Sequence, residues 1–475
     1  MTSPKLISSF RLSSLLRLQK DPKLALQLFQ NPNPSANQTP QAKPFRYSNL
    51  NYDLIITKLC RAKMFDEMRQ ILHQLKHDTR ITPEEIIFCN VIGFYGRARL
   101  CEQALQVFDE MPNFRVQRTV KSFNSLLSAM LKCGRLDKIR EIFARVEEDG
   151  SADSCSYNVL IHGCVVSGKL KEAWSVFGAM LRRGFKADEV TFGTLIYGLC
   201  LELRLKEASK LKEDMVRVYK VRPNGNIYAS LIKGYCVVGE LSLAFRLKRE
   251  MVKNEMEVDA AVYSTLISAL FKAGRKADAI GVFEEMKGNG CKINTVAYNA
   301  MINGFCREKD FEAAFEVLNE MGKSGCKADV VSYNVILGEL CKQGKWSAAN
   351  DLLEDMPRRG CAPDVVSYRI IFDGLCDGLQ FKAAALILDE MVFKGHAPRS
   401  ASIHKFINGL CPVGDEECLW TILNTLTRGN IIDSETWNLI VSTVCKEDEL
   451  SNALELFEIL MMPKIMTVNK KVVSF

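Results

Sequence analysis

Histidine is scarce in this chain, five among 475 residues, and none of its seventeen cysteines stands in a C-x-x-C pair. No H-x-E or H-E-x-x-H occurs either. These absences argue against a structural zinc site, a dithiol redox motif and the zinc set of a nucleobase deaminase. A phosphate loop of the type G-x-x-x-x-G-K-[ST] and a G-x-S-x-G elbow are also missing. The chain therefore reads as a non-enzyme, with no metal, cofactor or small-molecule substrate expected. No apolar run approaches the roughly 18 residues that a membrane helix needs. Disorder is excluded by composition, with 47% hydrophobic and 25% charged residues. The net charge of +7 is compatible with a polyanionic partner without requiring one.

The cysteines that are present are periodic. Cys306, Cys341, Cys376 and Cys411 stand 35 residues apart, as do Cys291, Cys326 and Cys361. This pattern points to a small buried niche recurring in each unit of a repeat, and to a reducing compartment. Tyr157-Asn158, Tyr298-Asn299 and Tyr333-Asn334 set the register. With the aromatic as position 4, units start at 49, 85, 120, 154, 189, 225, 260, 295, 330, 365, 400 and 434. Position 4 is aromatic in eleven of the twelve, position 20 is Ala in nine and position 27 is Met in eight, so the register is not chance.

Each unit predicts two helices. Tyr263, Leu266, Ile267 and Leu270 hold positions 4, 7, 8 and 11 of one unit; Leu136, Ile139, Phe143 and Val146 hold positions 17, 20, 24 and 27 of another. Both spacings make a helical stripe. Gly at position 15, as in Gly134, Gly168, Gly239, Gly274, Gly344 and Gly414, ends the first helix. Gly at position 31, as in Gly150, Gly184, Gly290, Gly325, Gly360 and Gly395, suits a left-handed cap after the second. One hairpin cannot bury its own stripes, so the expected fold is all-α, an α-solenoid of stacked helix-turn-helix units.

Positions 2, 5, 9 and 13 fall roughly opposite the first stripe and are expected to be exposed. Asn recurs at position 5 (Asn124, Asn158, Asn299, Asn334, Asn438), although it is a mediocre helix former. Its amide donates and accepts, as reading a base edge requires. Position 13 is basic in Arg61, Arg97, Lys132, Lys272, Arg307, Lys342 and Lys446. That stripe suits a phosphate backbone, or else a solvated face near helix C-termini. The last residue of a unit is often Asp, as in Asp153, Asp188, Asp329 and Asp364. Helix capping alone is a competing reason for it.

The segments V-V-S-Y-N-V-I-L-G-E-L-C-K-Q-G (330–344), T-V-A-Y-N-A-M-I-N-G-F-C-R-E-K (295–309) and E-M-G-K-S-G-C-K-A-D (320–329) resemble the pentatricopeptide repeat family. Uniform units look like its P subclass of land plants, and the tetratricopeptide signature W-x2-L-G-x2-Y is not the pattern here. The resemblance implies a right-handed superhelix that binds single-stranded RNA, one base per repeat. It implies that position 5 and the last residue read the base while position 2 residues of neighbouring units sandwich it. On this basis Asn124/Asp153, Asn158/Asp188, Asn299/Asp329 and Asn334/Asp364 each take U, or C less well, and Ser264/Asn294 takes A. Ile86, Val190, Val296, Val331 and Val366 are the implied sandwich residues. Asp53/Glu84, Cys89/Thr119, Arg369/Arg399 and His404/Asp433 depart from the pattern, Gly193 and Ala229 lack a reading side chain, and Lys121 and Asn226 replace the apolar residue at position 2. The implied core site is U-U-N-N-A-U-U. Seven basic residues imply a log–log salt slope of at most roughly −5.

The implied role is a binding factor on an organellar transcript, acting in stability, processing, splicing or translation, with accessory RNA-processing proteins as further partners. A protein-binding scaffold without RNA is the alternative. Residues 1–48 hold a basic, serine-rich stretch with no acid before Asp21, of transit-peptide type. Leu24, Ala25, Leu28 and Phe29 in the same region echo a second helix, so 6–30 also reads as a degenerate first unit. The mitochondrion is the expected destination, the chloroplast its alternative. A Pro-rich linker at 31–44 precedes the repeats of 49–468, and 469–475 is a tail.

Overall fold

The computed structural model of the chain describes residues 7–33, 45–148, 150–410, 424–427 and 429. The chain forms two compact units, Met1–Gly234 and Tyr235–Phe475, and the division falls within the helix Gly225–Val238. Every regular element among the described residues is helical, and no helix is long and apolar enough to cross a membrane.

In the first unit, helices Ser9–Leu18 and Pro22–Gln30 are followed by five complete hairpins. These are Asn49–Arg61 with Phe65–His77, Glu85–Arg97 with Cys101–Glu110, Val120–Cys133 with Leu136–Glu148, Ser154–Val166 with Leu170–Arg182, and Glu189–Leu201 with Leu205–Arg217. In the second unit the hairpins are Ala260–Lys272 with Lys276–Gly288, Thr295–Arg307 with Phe311–Lys323, Val330–Lys342 with Trp346–Arg358, and Val365–Asp377 with Phe381–Phe393. Leu241–Lys253 precedes them and Ser400–Leu410 follows. Each first helix thus begins at position 1 and each second helix at position 17, as the α-solenoid register requires.

The stripes are what hold the stack together. Tyr263, Leu266, Ile267 and Leu270 are buried, as are Leu136, Ile139, Phe143 and Val146. First helices of successive repeats pack on one another within each unit: Glu85–Arg97 on Val120–Cys133, and Ala260–Lys272 on Thr295–Arg307. The recurrent cysteines fill the contact. Cys341 at position 12 lies against Gly374 at position 10 of the next repeat, where a Cβ would come within 2.6 Å of the Cys341 Cβ. Burial pushes the thiols of Cys60, Cys200, Cys306 and Cys376 up to about 12, so they stay protonated.

The turn at position 15 is left-handed in every repeat from 49 to 365. Gly134, Gly168, Gly239, Gly274 and Gly344 take it there, and so do Lys63, Arg99, Leu203, Lys309 and Leu379. The residue after it returns a hydrogen bond, as from Lys169 N to the Cys164 carbonyl at 2.8 Å. That bond satisfies a carbonyl the helix end would otherwise leave open.

Helices Ser9–Leu18 and Pro22–Gln30 pack on Asn49–Arg61. Tyr47 stacks on Phe29 at 4.5 Å between ring centroids and donates its hydroxyl to the Phe29 carbonyl at 2.8 Å. Pro34, Pro40 and Pro44, most of the repeat starting at 400, the repeat starting at 434 and the tail 469–475 lie outside the described residues.

Candidate nucleic-acid interface

The last residue of a repeat is the N-cap of the next first helix. Asp153 accepts from Ser156 N at 2.8 Å, Asp188 from Thr191 N at 2.9 Å and Asp364 from Ser367 N at 2.9 Å. Capping is real, but it is not all these carboxylates do. Asn124 Nδ2 donates to the two carboxylate oxygens of Asp153 at 3.1 and 3.2 Å, and Asn158 Nδ2 to those of Asp188 at 3.1 and 3.3 Å. Asn334 Nδ2 reaches Asp364 Oδ1 at 3.4 Å. Position 5 and the last residue of one repeat therefore meet in three of the four Asn/Asp repeats.

One expectation is corrected. Position 5 is not on the open face: Asn158 is 8% and Ser264 6% exposed. It lies only about 110° around the helix from the centre of the apolar stripe, on its shoulder, where the next repeat covers it. Nor are all five pairs joined. Ser264 Oγ donates at 2.6 Å to the Ala260 carbonyl of its own helix, and Asn294 caps Ala297 N at 3.0 Å. A serine hydroxyl on a helix finds the carbonyl one turn back without leaving its rotamer, and here that bond wins. No hydrogen bond joins Asn299 to Asp329 among the described residues, and the Asn299 and Asn334 carbonyl oxygens are buried without a partner.

Position 2 is open throughout. Ile86, Val190, Val296, Val331 and Val366 are between 42% and 60% exposed, which is unusual for aliphatic residues repeated in register. Leu50 and Cys155 hold the same place and are exposed as well. Sequence reasoning left both out, although the register alone assigns them. A cleft of about 550 Å³ lies beside these residues, lined by Asp153, Cys155, Asn158, His162, Asp188 and Val190. Its size is that of a small-ligand pocket, with apolar walls and a few polar groups. Burial lowers the pKa of His162 below its ordinary value, keeping the ring neutral at neutral pH.

Arg61, Arg97, Lys132, Lys272, Arg307 and Lys342 at position 13 are all exposed, and Lys446 lies outside the described residues. Lys342 is bound to Glu339 at 2.5 Å, and the Arg97 guanidinium lies over the Phe94 ring at 4.1 Å. In the repeats starting at 154, 189 and 225 the same position carries Val166, Leu201 and Val237, so the basic series is interrupted there. The repeats that depart from the pattern make other contacts at these positions. Glu85 accepts from Thr119 N and Oγ1 at 2.9 Å, Glu189 accepts from Asn224 Nδ2 at 3.1 Å, and Arg369 donates to the Ala397 carbonyl at 2.7 Å.

Comparison with known proteins gives the same register. Patterns described as the PPR repeat family match residues 152–201, 223–272, 258–306, 293–341 and 328–377. The pentatricopeptide repeat domain matches 106–154, and the single PPR repeat matches 86–116, 190–218 and 435–461. A pentatricopeptide repeat-containing protein of Arabidopsis thaliana is 56% identical over 261 residues, 55% of this chain and 55% of that one. Another from the same plant, designated mitochondrial, is 30% identical over 32% of this chain and 37% of its own length. The chain spans about half the length of the first curated relatives it matches. Among solved structures, yeast Rmd9p in complex with a 16-nucleotide target RNA aligns over 95% of this chain and 94% of its own, at 14% identity and a TM-score of 0.46. The repeat matches together span more than half of the sequence, and the chain belongs to the pentatricopeptide repeat family.

Proposed function

We propose that the chain binds single-stranded RNA in a sequence-dependent way, one base per repeat, through the clefts between successive first helices. The observation that carries this reading is the cleft at Asn158 and Asp188. It joins an amide and a carboxylate, which can read a base edge, to the exposed Cys155 and Val190, which can cover its two faces. The unpartnered carbonyls of Asn299 and Asn334 add to it, since a buried acceptor without a donor favours a ligand that brings one. The exposed cations at position 13 supply charge for the phosphates.

In this reading Asn124/Asp153, Asn158/Asp188, Asn299/Asp329 and Asn334/Asp364 select uracil, and Ser264/Asn294 selects adenine. In chain order the site is U-U-N-N-A-U-U. Action by occupancy follows: a bound segment is kept single-stranded, which shields it from nucleases, opens a neighbouring ribosome site or favours splicing. Uniform repeats support a reading as the P subclass. The mitochondrial designation of a relative supports an organellar transcript as target, in the mitochondrion before the chloroplast.

The test is binding of the full chain to labelled RNA containing UUNNAUU and to the same RNA with its four U positions changed to G. Preference for the first by about tenfold or more is expected, corresponding to roughly 1.4 kcal/mol. Asn158→Ala and Asn334→Ala should each narrow the gap. Equal binding of both oligomers, or none, sinks the reading and turns attention to a protein ligand.

A further inference from the structure

The four Asn/Asp repeats carry the same two side chains in two states, and the difference lies in the following repeat. Ser156, third residue of the repeat starting at 154, places its Oγ 2.7 Å from Asn124 Oδ1. Thr191, third residue of the repeat starting at 189, places its Oγ1 2.6 Å from Asn158 Oδ1. In both places the Asn–Asp contact is double, to the two carboxylate oxygens. Ser332 and Ser367 occupy the equivalent positions after Asn299 and Asn334. Their hydroxyls lie 3.0 Å from Asp329 Oδ1 and Asp364 Oδ1 and leave the Asn carbonyls unpartnered. There the Asn–Asp contact is single at 3.4 Å for Asn334 and absent for Asn299 among the described residues.

Helix capping accounts for Ser332 and Ser367 but not for the reach of Ser156 and Thr191 into the preceding repeat. The Ser156 and Thr191 hydroxyls also lie 2.9 Å from Asp153 Oδ1 and Asp188 Oδ1, but a hydroxyl has one proton. Asp153 Oδ1 already receives the Ser156 backbone N–H and the Asn124 amide, whereas Asn124 Oδ1 has no donor but the Ser156 hydroxyl. The proton therefore goes to Asn124, and the Ser156 oxygen in turn accepts from Asp153 N at 3.3 Å. Thr191 closes the same ring with Asn158 and Asp188, with Asp188 N at 3.2 Å from its oxygen. The amide is held at both ends: its carbonyl is taken, one N–H is spent on the carboxylate, and the second N–H is left for a base.

We propose that Ser156 and Thr191 are positioning residues that set how strictly the bases facing Asn124 and Asn158 are selected. This rests on the base-reading function proposed above. With the amide locked, the site offers a donor from Asn beside an acceptor from Asp. An unlocked amide can turn over and offer two acceptors, and two adjacent donors are what N1–H and the 2-amino group of guanine present. The repeats of Asn124 and Asn158 therefore reject guanine more strictly than those of Asn299 and Asn334.

The experiment measures full-chain affinity for UUNNAUU RNA with guanine placed singly at each of the four U positions. In the wild type, guanine facing Asn124 or Asn158 should cost about fivefold more affinity than guanine facing Asn299 or Asn334, the scale of one neutral hydrogen bond. Ser156→Ala and Thr191→Val should each remove that excess at their own base alone. Ser332→Ala and Ser367→Ala should change no guanine penalty. Ser156→Thr and Thr191→Ser keep the hydroxyl and should keep the excess, which a role in stability alone does not require. Equal guanine penalties at all four bases in the wild type overturn the proposal and leave base reading intact. Loss of the excess in Thr191→Ser, as in Thr191→Val, overturns it in the same way. A wild type indifferent to guanine everywhere overturns the base-reading function and this proposal together.

Discussion

Asn51 donates through Nδ2 to the Ser13 hydroxyl at 2.7 Å, joining the third residue of the repeat at 49 to the helix Ser9–Leu18. The relation has the same geometry as Ser156 to Asn124, with amide and hydroxyl exchanged, because Ser13 is the fifth residue of its helix. Asn51 is fully buried and also binds the Ser9 carbonyl at 3.0 Å. Asn51→Ala strands these groups and should cost about 2 kcal/mol of stability, within the range for an unsatisfied buried polar group. Thermal unfolding of the full chain checks this. An unchanged midpoint would mean that the first two helices do not support the repeat at 49.

Gly304 at position 10 faces the Phe271 side chain of the preceding repeat so closely that a Cβ would fall on the ring. Gly304→Ala should therefore destabilise by roughly 1–3 kcal/mol through overpacking. Gly281, within the second helix Lys276–Gly288, has open space where a Cβ would stand. Gly281→Ala should stabilise by about 0.5–1 kcal/mol, because alanine holds the helix better. Opposite shifts in the denaturant midpoint test the pair, and a parallel shift would refute the stacking geometry.

Much of this architecture was legible because the core repeats every 35 residues and aromatic, Ala and Met positions mark the same contact each time. The left-handed turn was legible only where glycine stands. Leu203 and Leu379 take the same positive φ at a strain of roughly 1–2 kcal/mol, and no local signal announces it. The candidate site was half legible. A helical wheel places Asn158 on the open face, but position 5 is on the shoulder of the stripe and is covered by the next repeat. Ser264 and Asn294 look like a pair in sequence, yet each finds a nearer backbone partner. Ser156 and Thr191 were visible as capping residues, and their reach across the repeat needs the stacking distance to be seen.

Asp153 carries a pH prediction. Its partial burial acts to raise the carboxyl pKa, but hydrogen bonds from the Ser156 backbone N–H and the Asn124 side-chain amide outweigh this and hold it below the ordinary value of 3.8. The folded-state value is depressed, so the stabilisation is present above the unfolded pKa and is lost as pH falls through the folded one. Stability should thus be insensitive to this group from about pH 8 to 5 and decline below about pH 4. Asp364 is lowered by a similar set, from Ser367, Asn334 and Val366 against burial. Asp153→Asn should flatten part of the acid limb of the unfolding midpoint against pH. A steeper limb in that variant would contradict the assignment.

The cations at position 13 differ in what they have to give. Lys272 is exposed and makes no ion pair among the described residues, whereas Lys342 is paired with Glu339. An unpaired cation that meets a phosphate releases a counterion, so each contact adds about 0.7 to the log–log salt slope on a single strand. Lys272→Ala should therefore lower the slope by about that amount and weaken binding to all sequences alike. Lys342→Ala should lower it less, because Glu339 already neutralises the ammonium and must be displaced first. Glu339→Gln should raise both affinity and slope by freeing Lys342. Titrations of one RNA at several salt concentrations separate these outcomes. Equal slopes for wild type, Lys272→Ala and Glu339→Gln would remove position 13 from the path of the phosphates.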